Sequence, residues 1–212
     1  MMYKYFIKRF IDIMLSIIGI LVLIVPMIIV SLIIFIEDPG NPIFTQKRIG
    51  KNKKIFKLYK FRSMKTTTPH DTPTHLLSNP EQYLLKSGRF FRKASIDELP
   101  QLFNILFGQM SIIGPRPALW NQDDLVVERD KYNANDVRPG LTGWAQVNGR
   151  DELEIVMKAK YDGEYVKKMS FIFDCKCFFK TILSVLRSDG VVEGGTGEMK
   201  KTETSYEKSR LE

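Results

Sequence analysis

Cysteine and histidine are scarce in this sequence, two of each among 212 residues. Cys175 and Cys177 stand two apart in "FDCKCFF", too sparse a set for a disulfide framework or a closed zinc site, and they are expected to be buried, reduced thiols. His70 and His75 flank Asp71 in "KTTTPHDTPTHLLSNPEQ", where three prolines mark a loop with no helix to fix a metal-binding trio. The glycine spacings of the dinucleotide fingerprint and of the P-loop are missing, so there is no standard nucleotide cradle. Acidic residues are outnumbered, 24 against 32 Lys and Arg. The resulting formal charge of +8 suits an anionic partner such as a phospholipid surface, a nucleotide or a nucleic acid, without choosing among them.

What the sequence has in abundance is hydrophobicity near its N-terminus. Ile11 to Ile36 reads "IDIMLSIIGILVLIVPMIIVSLIIFI", and roughly 20 apolar residues suffice for a helix to cross a bilayer core. The run is too long for a cleaved signal peptide. No small-residue cleavage site follows; instead "EDPGNP" forms an acidic turn that ends the helix. Lys4, Lys8 and Arg9 precede it and nine basic residues from Lys47 to Lys65 follow it, so both flanks carry the signature of the cytoplasmic side. A straight span conflicts with that rule at one end. Pro26, mid-run, removes a ladder hydrogen bond, which predicts a helix break and a re-entrant hairpin; Ser16 and Ser31 are placed to satisfy freed carbonyls. A spanning helix with a tolerated proline is the alternative.

Beyond the anchor, "KIFKLYKF" intersperses basic with apolar residues and predicts a strand or hairpin with a basic face. "ASIDELPQL" then places Asp97 beside Glu98, behind Arg89 and Arg92. Ser95 with Glu98 fits a capping box. Pro100 fits better if Asp97 is the cap, because a proline is harmless only in a helix's first turn. Asp97 is then an ionised carboxylate at a positive helix end, beside a place where phosphate docks. That arrangement suits a nucleophile or a magnesium ligand, with capping the plain alternative. "MSIIGPRPAL" holds Arg116 between two prolines, on a backbone that cannot become helical. "VRPGLTGWAQVNGR" gathers Arg138, Gly140, Gly143, Trp144, Gln146, Asn148 and Arg150. Its glycines permit close backbone approach, its arginines suit phosphate, and Trp144 suits a base or sugar. A structural turn cluster is the other reading.

These stretches, with "YKFRSM" and "FDCKCFFKTILSVL", resemble the bacterial sugar transferase family, specifically its small monotopic phosphoglycosyl transferases, from about Lys4 to about Val192. The resemblance implies transfer of a phosphosugar from a UDP-sugar to undecaprenyl or a related polyprenyl phosphate, beginning the assembly of a surface glycan at the cytoplasmic face of the bacterial inner membrane. The large members' extra N-terminal membrane domain is not expected.

The implied roles follow the matching motifs. Asp97 and Glu98 match the catalytic dyad, Asp97 being the covalent nucleophile that also lies at a magnesium ion (Mg2+), while Glu98 either orients the metal or accepts a proton. Arg92 matches a phosphate-binding arginine and Arg116 the arginine of a Pro-Arg-Pro motif. Asp162 and Asp174 match later acidic positions. Arg138, Gln146, Asn148 and Arg150 are candidate substrate contacts, and membrane lipids are expected partners. One departure is Val25 where a serine often precedes Pro26. The expected fold is mixed α/β and mostly helical. Residues 1–38 form the anchor, 39–192 a small cytoplasmic catalytic domain with amphipathic helices on the membrane, and 193–212 a polar tail without packed structure. Two rivals predict different behaviour. A membrane-tethered basic scaffold or nucleic-acid-binding protein needs no carboxylate dyad, and a glycosyltransferase moving sugar alone releases UDP.

Overall fold

The computed structural model describes residues 2–68, 80–149 and 153–187. His70, Asp71, His75, Arg150 and the tail from 193 lie outside the described residues.

A π-helical turn, Tyr3–Ile7, leads into α1, Lys8–Glu37. This helix is long and apolar enough to cross a membrane by length and composition. At 1.5 Å per residue it is about 45 Å long. Its buried residues are Lys8, Asp12, Ser16, Met27, Val30 and Ile34, with Ile20 and Leu23 packing between them. Steps of three and four keep these on one stripe. The other faces stay apolar and exposed, as at Leu21, Val25 and Ile36.

The break expected at Pro26 does not occur, and the chain does not turn back there: α1 runs through the proline as one helix. An interior proline costs about 3 kcal/mol. Downstream of it, Met27, Val30 and Ile34 pack with Phe61, Leu85 and Phe91, and burial of such side chains is worth about 1.5–3 kcal/mol each. Packing therefore outweighs the lost bond. Ser31 Oγ donates to the Met27 carbonyl at 2.8 Å and Ser16 Oγ to that of Ile13 at 2.9 Å, so neither serine reaches the Val22 carbonyl that Pro26 leaves unpaired.

Both ends of α1 are fastened to the same body. Lys8 Nζ lies 2.6 Å from Asp174 Oδ2. Arg9 donates to the carbonyls of Ile105 and Leu106 at 2.7 and 3.0 Å, and Asp12 Oδ1 accepts from Ser111 Oγ and the Ile112 N–H, each at 3.0 Å. At the far end, Asp38 accepts from Arg62 and from the Thr66 N–H.

The lysine-bearing stretch forms an antiparallel hairpin with the segment before it, β1 (Ile43–Ile49) with β2 (Ile55–Phe61), in register from Ile43↔Phe61 to Ile49↔Ile55. Phe56 and Leu58 point inward, and the period of two puts Lys60 on their face rather than outside. Then come α2 (Lys86–Lys93), α3 (Gln101–Leu106) and β3 (Ser111–Ile113). After α4 (Asp123–Asp130), β4 (Gly140–Thr142) pairs parallel with β3. Two helices, α5 (Ile155–Lys168) and α6 (Phe171–Arg187), close the described chain. The chain is thus mixed α/β and mostly helical, as expected.

The loop glycines serve the fold. A Cβ on Gly140 would lie 2.1 Å from Gly114 N, and one on Gly143 2.0 Å from Gly114 O, so the close approach they permit is between two chain segments. Trp144 is likewise buried and packs on Phe173, its indole N–H donating to Glu164 Oε2 at 2.8 Å. Cys175 and Cys177 are both free thiols, but only Cys177 is fully buried. Burial, then the nearby Asp174 charge, pushes the Cys177 thiol up to about 12.

Candidate active site

Four elements converge on the dyad. The chain leaves α2, passes Ser95 in the left-handed conformation (φ 55°) and enters a 3₁₀ turn, Ile96–Glu98. Pro100 then stands at the N-cap of α3. Neither sequence-based cap is realised, because Ser95 makes no side-chain cap bond and Asp97 lies inside the 3₁₀ turn rather than before a helix. The proline costs nothing where it falls, since the first turn's N–H groups have no helical partner anyway.

Asp97 is buried, with 8% of its surface exposed. Lys60 reaches both carboxylates from β2, its Nζ 3.8 Å from Asp97 Oδ2 and 3.0 Å from Glu98 Oε1. Arg116 donates to the same Glu98 oxygen at 2.9 Å. Its Pro-Arg-Pro loop is fixed by three bonds: Arg48 to Pro117 O at 3.0 Å, Ile49 N to Ala118 O at 2.9 Å and Gly140 N to Pro115 O at 2.8 Å. Arg92 donates from Nε to Ser63 Oγ at 2.9 Å, and its charge, like that of Arg116, acts on Asp97.

The two carboxylates differ electrostatically. Burial raises the Asp97 carboxyl above the usual range, and the neighbouring Glu98 charge adds to this against the pull of Lys60, Arg92 and Arg116. The expectation of a readily ionised Asp97 is therefore opposed by its burial. For Glu98 burial also works against ionisation, but Arg116 and Lys60 outweigh it and hold the carboxyl far below its ordinary value.

Sequence reasoning missed two members of this site. Lys60 was only one of many flanking cations, and strand alternation was the signal that distinguished it. Asn104, fully buried, accepts from the Tyr59 N–H at 2.9 Å and donates to Lys57 O at 2.7 Å. It thereby staples α3 to β2 beside Lys60, and its type gave no warning.

Other expected site residues are engaged elsewhere. Arg138 donates to Gly108 O at 2.9 Å, Gln146 Nε2 to Leu141 O at 3.0 Å and Asn148 Nδ2 to Trp144 O at 2.6 Å. Asp162 forms a fully buried pair with Arg129 at 2.6 Å, joining α5 to α4. Asp174 binds Lys8 and accepts from the hydroxyls of Tyr3 and Tyr165 at 2.5 and 2.8 Å. These contacts tie elements together and share no partner with the dyad.

Among the described residues no three His, Cys, Asp or Glu side chains cluster as a metal cage. Magnesium, however, commonly uses one or two carboxylates together with substrate phosphates. Asp97 makes no side-chain hydrogen bond among the described residues, and the contacts of Glu98 fall on Oε1. The oxygens left over suit a metal held jointly with a diphosphate.

A profile of the family described as bacterial sugar transferase matches residues 3–188. The uncharacterized sugar transferase EpsL of Bacillus subtilis (strain 168) is 44% identical over 153 residues, 72% of this chain and 74% of that protein. The undecaprenyl-phosphate galactose phosphotransferase of Salmonella typhimurium (strain LT2) is 36% identical over 87% of this chain and 41% of its own length. For the UDP-glucose:undecaprenyl-phosphate glucose-1-phosphate transferase of Escherichia coli (strain K12) the identity is 39%, over 82% of this chain and 39% of that protein. The chain thus spans about two fifths of the length of the last two relatives.

Proposed function

The chain belongs to the bacterial sugar transferase family, and we propose that it moves a phosphosugar from a UDP-sugar to a polyprenyl phosphate through a covalent intermediate on Asp97. The observation that carries this reading is a buried carboxylate with no hydrogen bond among the described residues, surrounded by Lys60, Arg92 and Arg116. The names of the Salmonella and Escherichia coli relatives support the substrate class.

In the proposed reaction an Asp97 oxygen attacks the phosphorus that bears the sugar. The bridging P–O bond breaks, and its electron pair leaves with UMP. A phosphate oxygen of the polyprenyl acceptor then attacks the same phosphorus, forming the lipid diphosphate sugar and returning Asp97 as a carboxylate. Repulsion between carboxylate and diphosphate is the main obstacle, and Arg92 and Arg116 lower it by taking up phosphate charge. Lys60 and Arg116 hold Glu98 ionised without letting its charge fall wholly on Asp97. A magnesium ion on Asp97 and Glu98 would neutralise further phosphate charge.

The anchor fits a lipid acceptor. A helix crossing the bilayer meets a body on one side only at one end, whereas α1 is bonded to the same body at Lys8 and at Asp38. The exposed apolar faces of α1 and α6, including Ile172 and Phe179, suit immersion in one leaflet, where the acceptor phosphate lies at headgroup depth. This reading keeps the expected one-sided insertion at the cytoplasmic face of the cell membrane but replaces the hairpin by a long helix lying against the body.

The test is the identity of the first product. Incubated with UDP-sugars and polyprenyl phosphate, the protein should release UMP. UDP as the leaving nucleotide would mean transfer of sugar alone, and no release from any UDP-sugar would favour a scaffold.

A further inference from the structure

We infer that Glu37 and Asp38, where the membrane-seeking helix ends, are positioning residues for Arg92, so that the seating of α1 sets the phosphate-binding geometry of the site. This rests on the proposed role of Arg92 in binding phosphate.

The Glu37 carboxylate accepts from the backbone N–H groups of Lys86 and Ser87, the latter at 3.2 Å, and from Ser87 Oγ at 2.6 Å. These are first-turn donors of α2, whose own N-cap, Leu85, has no side-chain acceptor. The cap for the helix that carries Arg92 is therefore supplied by α1. Asp38, the next residue, accepts from Arg62 and, at 2.7 Å, from the Thr66 N–H. Between those two donors lies Ser63, the residue that holds Arg92: its Oγ accepts from Arg92 Nε at 2.9 Å and its carbonyl from Leu85 N at 3.0 Å. One carboxylate fixes the start of α2, and its neighbour fixes the strand exit on which α2 rests. Phe91, beside Arg92, packs in the cluster containing Met27, Val30 and Ile34 of α1. The route from anchor to site is thus continuous: α1 end, α2 start and Ser63, Arg92, Asp97. A plain helix cap would be felt only in stability. A positioning pair is felt in kinetics, and only through Arg92.

The experiment uses the full chain in lipid nanodiscs with the UDP-sugar that the wild-type chain turns over. Glu37→Ala, Asp38→Asn, Arg92→Ala and each acidic variant combined with Arg92→Ala are compared by kcat, KM and Tm. Glu37→Ala should lower kcat/KM on the order of tenfold, since small misplacements of a binding group are costly. In the Arg92→Ala background it should change the rate less than about twofold, because coupled residues are not additive. Glu37→Gln, which keeps an acceptor oxygen, should recover most of the loss. If Glu37→Ala melts below the assay temperature, Asp38→Asn carries the same cycle. The inference is overturned if the acidic variants are kinetically normal while Arg92→Ala is impaired, or if their losses multiply with that of Arg92→Ala. A near-normal Arg92→Ala would instead overturn the role of Arg92 on which the inference stands.

Discussion

Gly88→Ala isolates the placement of α2 from every charge in the site. A Cβ at Gly88 would stand 2.2 Å from the Ser63 carbonyl oxygen. Carbon and oxygen do not approach within 3.0 Å in this way, so α2 has to retreat from Ser63 by about 1 Å. The Arg92 Nε to Ser63 Oγ bond, now 2.9 Å, lies one helical turn further on and opens with it. Overpacking of this kind costs about 1–3 kcal/mol, and alanine in place of a helical glycine returns about 1 kcal/mol. The net loss of at most about 2 kcal/mol lowers Tm by no more than about 8 °C in a chain of this size. Activity should suffer more, because displacing a positioning group by 1 Å can cost about 100-fold. Thermal melting by circular dichroism and initial rates of UMP release on the same preparation separate the two effects. A folded Gly88→Ala protein with a rate within about threefold of wild type would refute the claim that the α2–Ser63 contact sets the site.

Glu98→Gln should move the acid limb of the kcat/KM profile to lower pH. Burial and the Glu98 charge both raise the Asp97 carboxyl, so removing that charge lets Asp97 ionise more readily; an unchanged or upward-shifted limb would contradict the assignment. Turnover should stop in excess EDTA and return with magnesium, whereas full activity in chelator would exclude the metal. Single cysteines near residue 3 and in the catalytic body should both be labelled from the cytoplasmic side. Labelling of the first only from outside would mean that α1 spans the membrane.

Legibility followed the range of the forces involved. The hairpin could be read because short runs of β-prone apolar residues on either side of Gly50 are a local signal, and the apolar stripe of α1 because helix periodicity is local as well. The dyad and Arg116 could be singled out because proline and adjacent carboxylates leave few conformations. What escaped depends on contacts between distant residues. Pro26 predicts a break from its own chemistry, but Phe61, Leu85 and Phe91 supply packing that holds the helix through it. Gly140 and Gly143 look like a ligand cradle until Gly114, far earlier in the chain, is seen to occupy the space. Asp162 and Asp174 carry the charge of catalytic residues, yet Arg129 and Lys8 take them as structural partners. Burial likewise reversed the direction expected for Asp97.

Whether Asp97 becomes covalently bonded to phosphorus is decided by mass spectrometry of the protein incubated with a UDP-sugar and no lipid acceptor. UMP release of up to one equivalent is expected, with a phosphosugar mass added to the peptide containing Asp97. Both should be absent in Asp97→Asn, and the adduct should disappear when polyprenyl phosphate is added. UMP that appears only in the presence of the acceptor, with an unmodified Asp97 peptide throughout, would rule out the covalent intermediate and leave direct transfer between the two substrates.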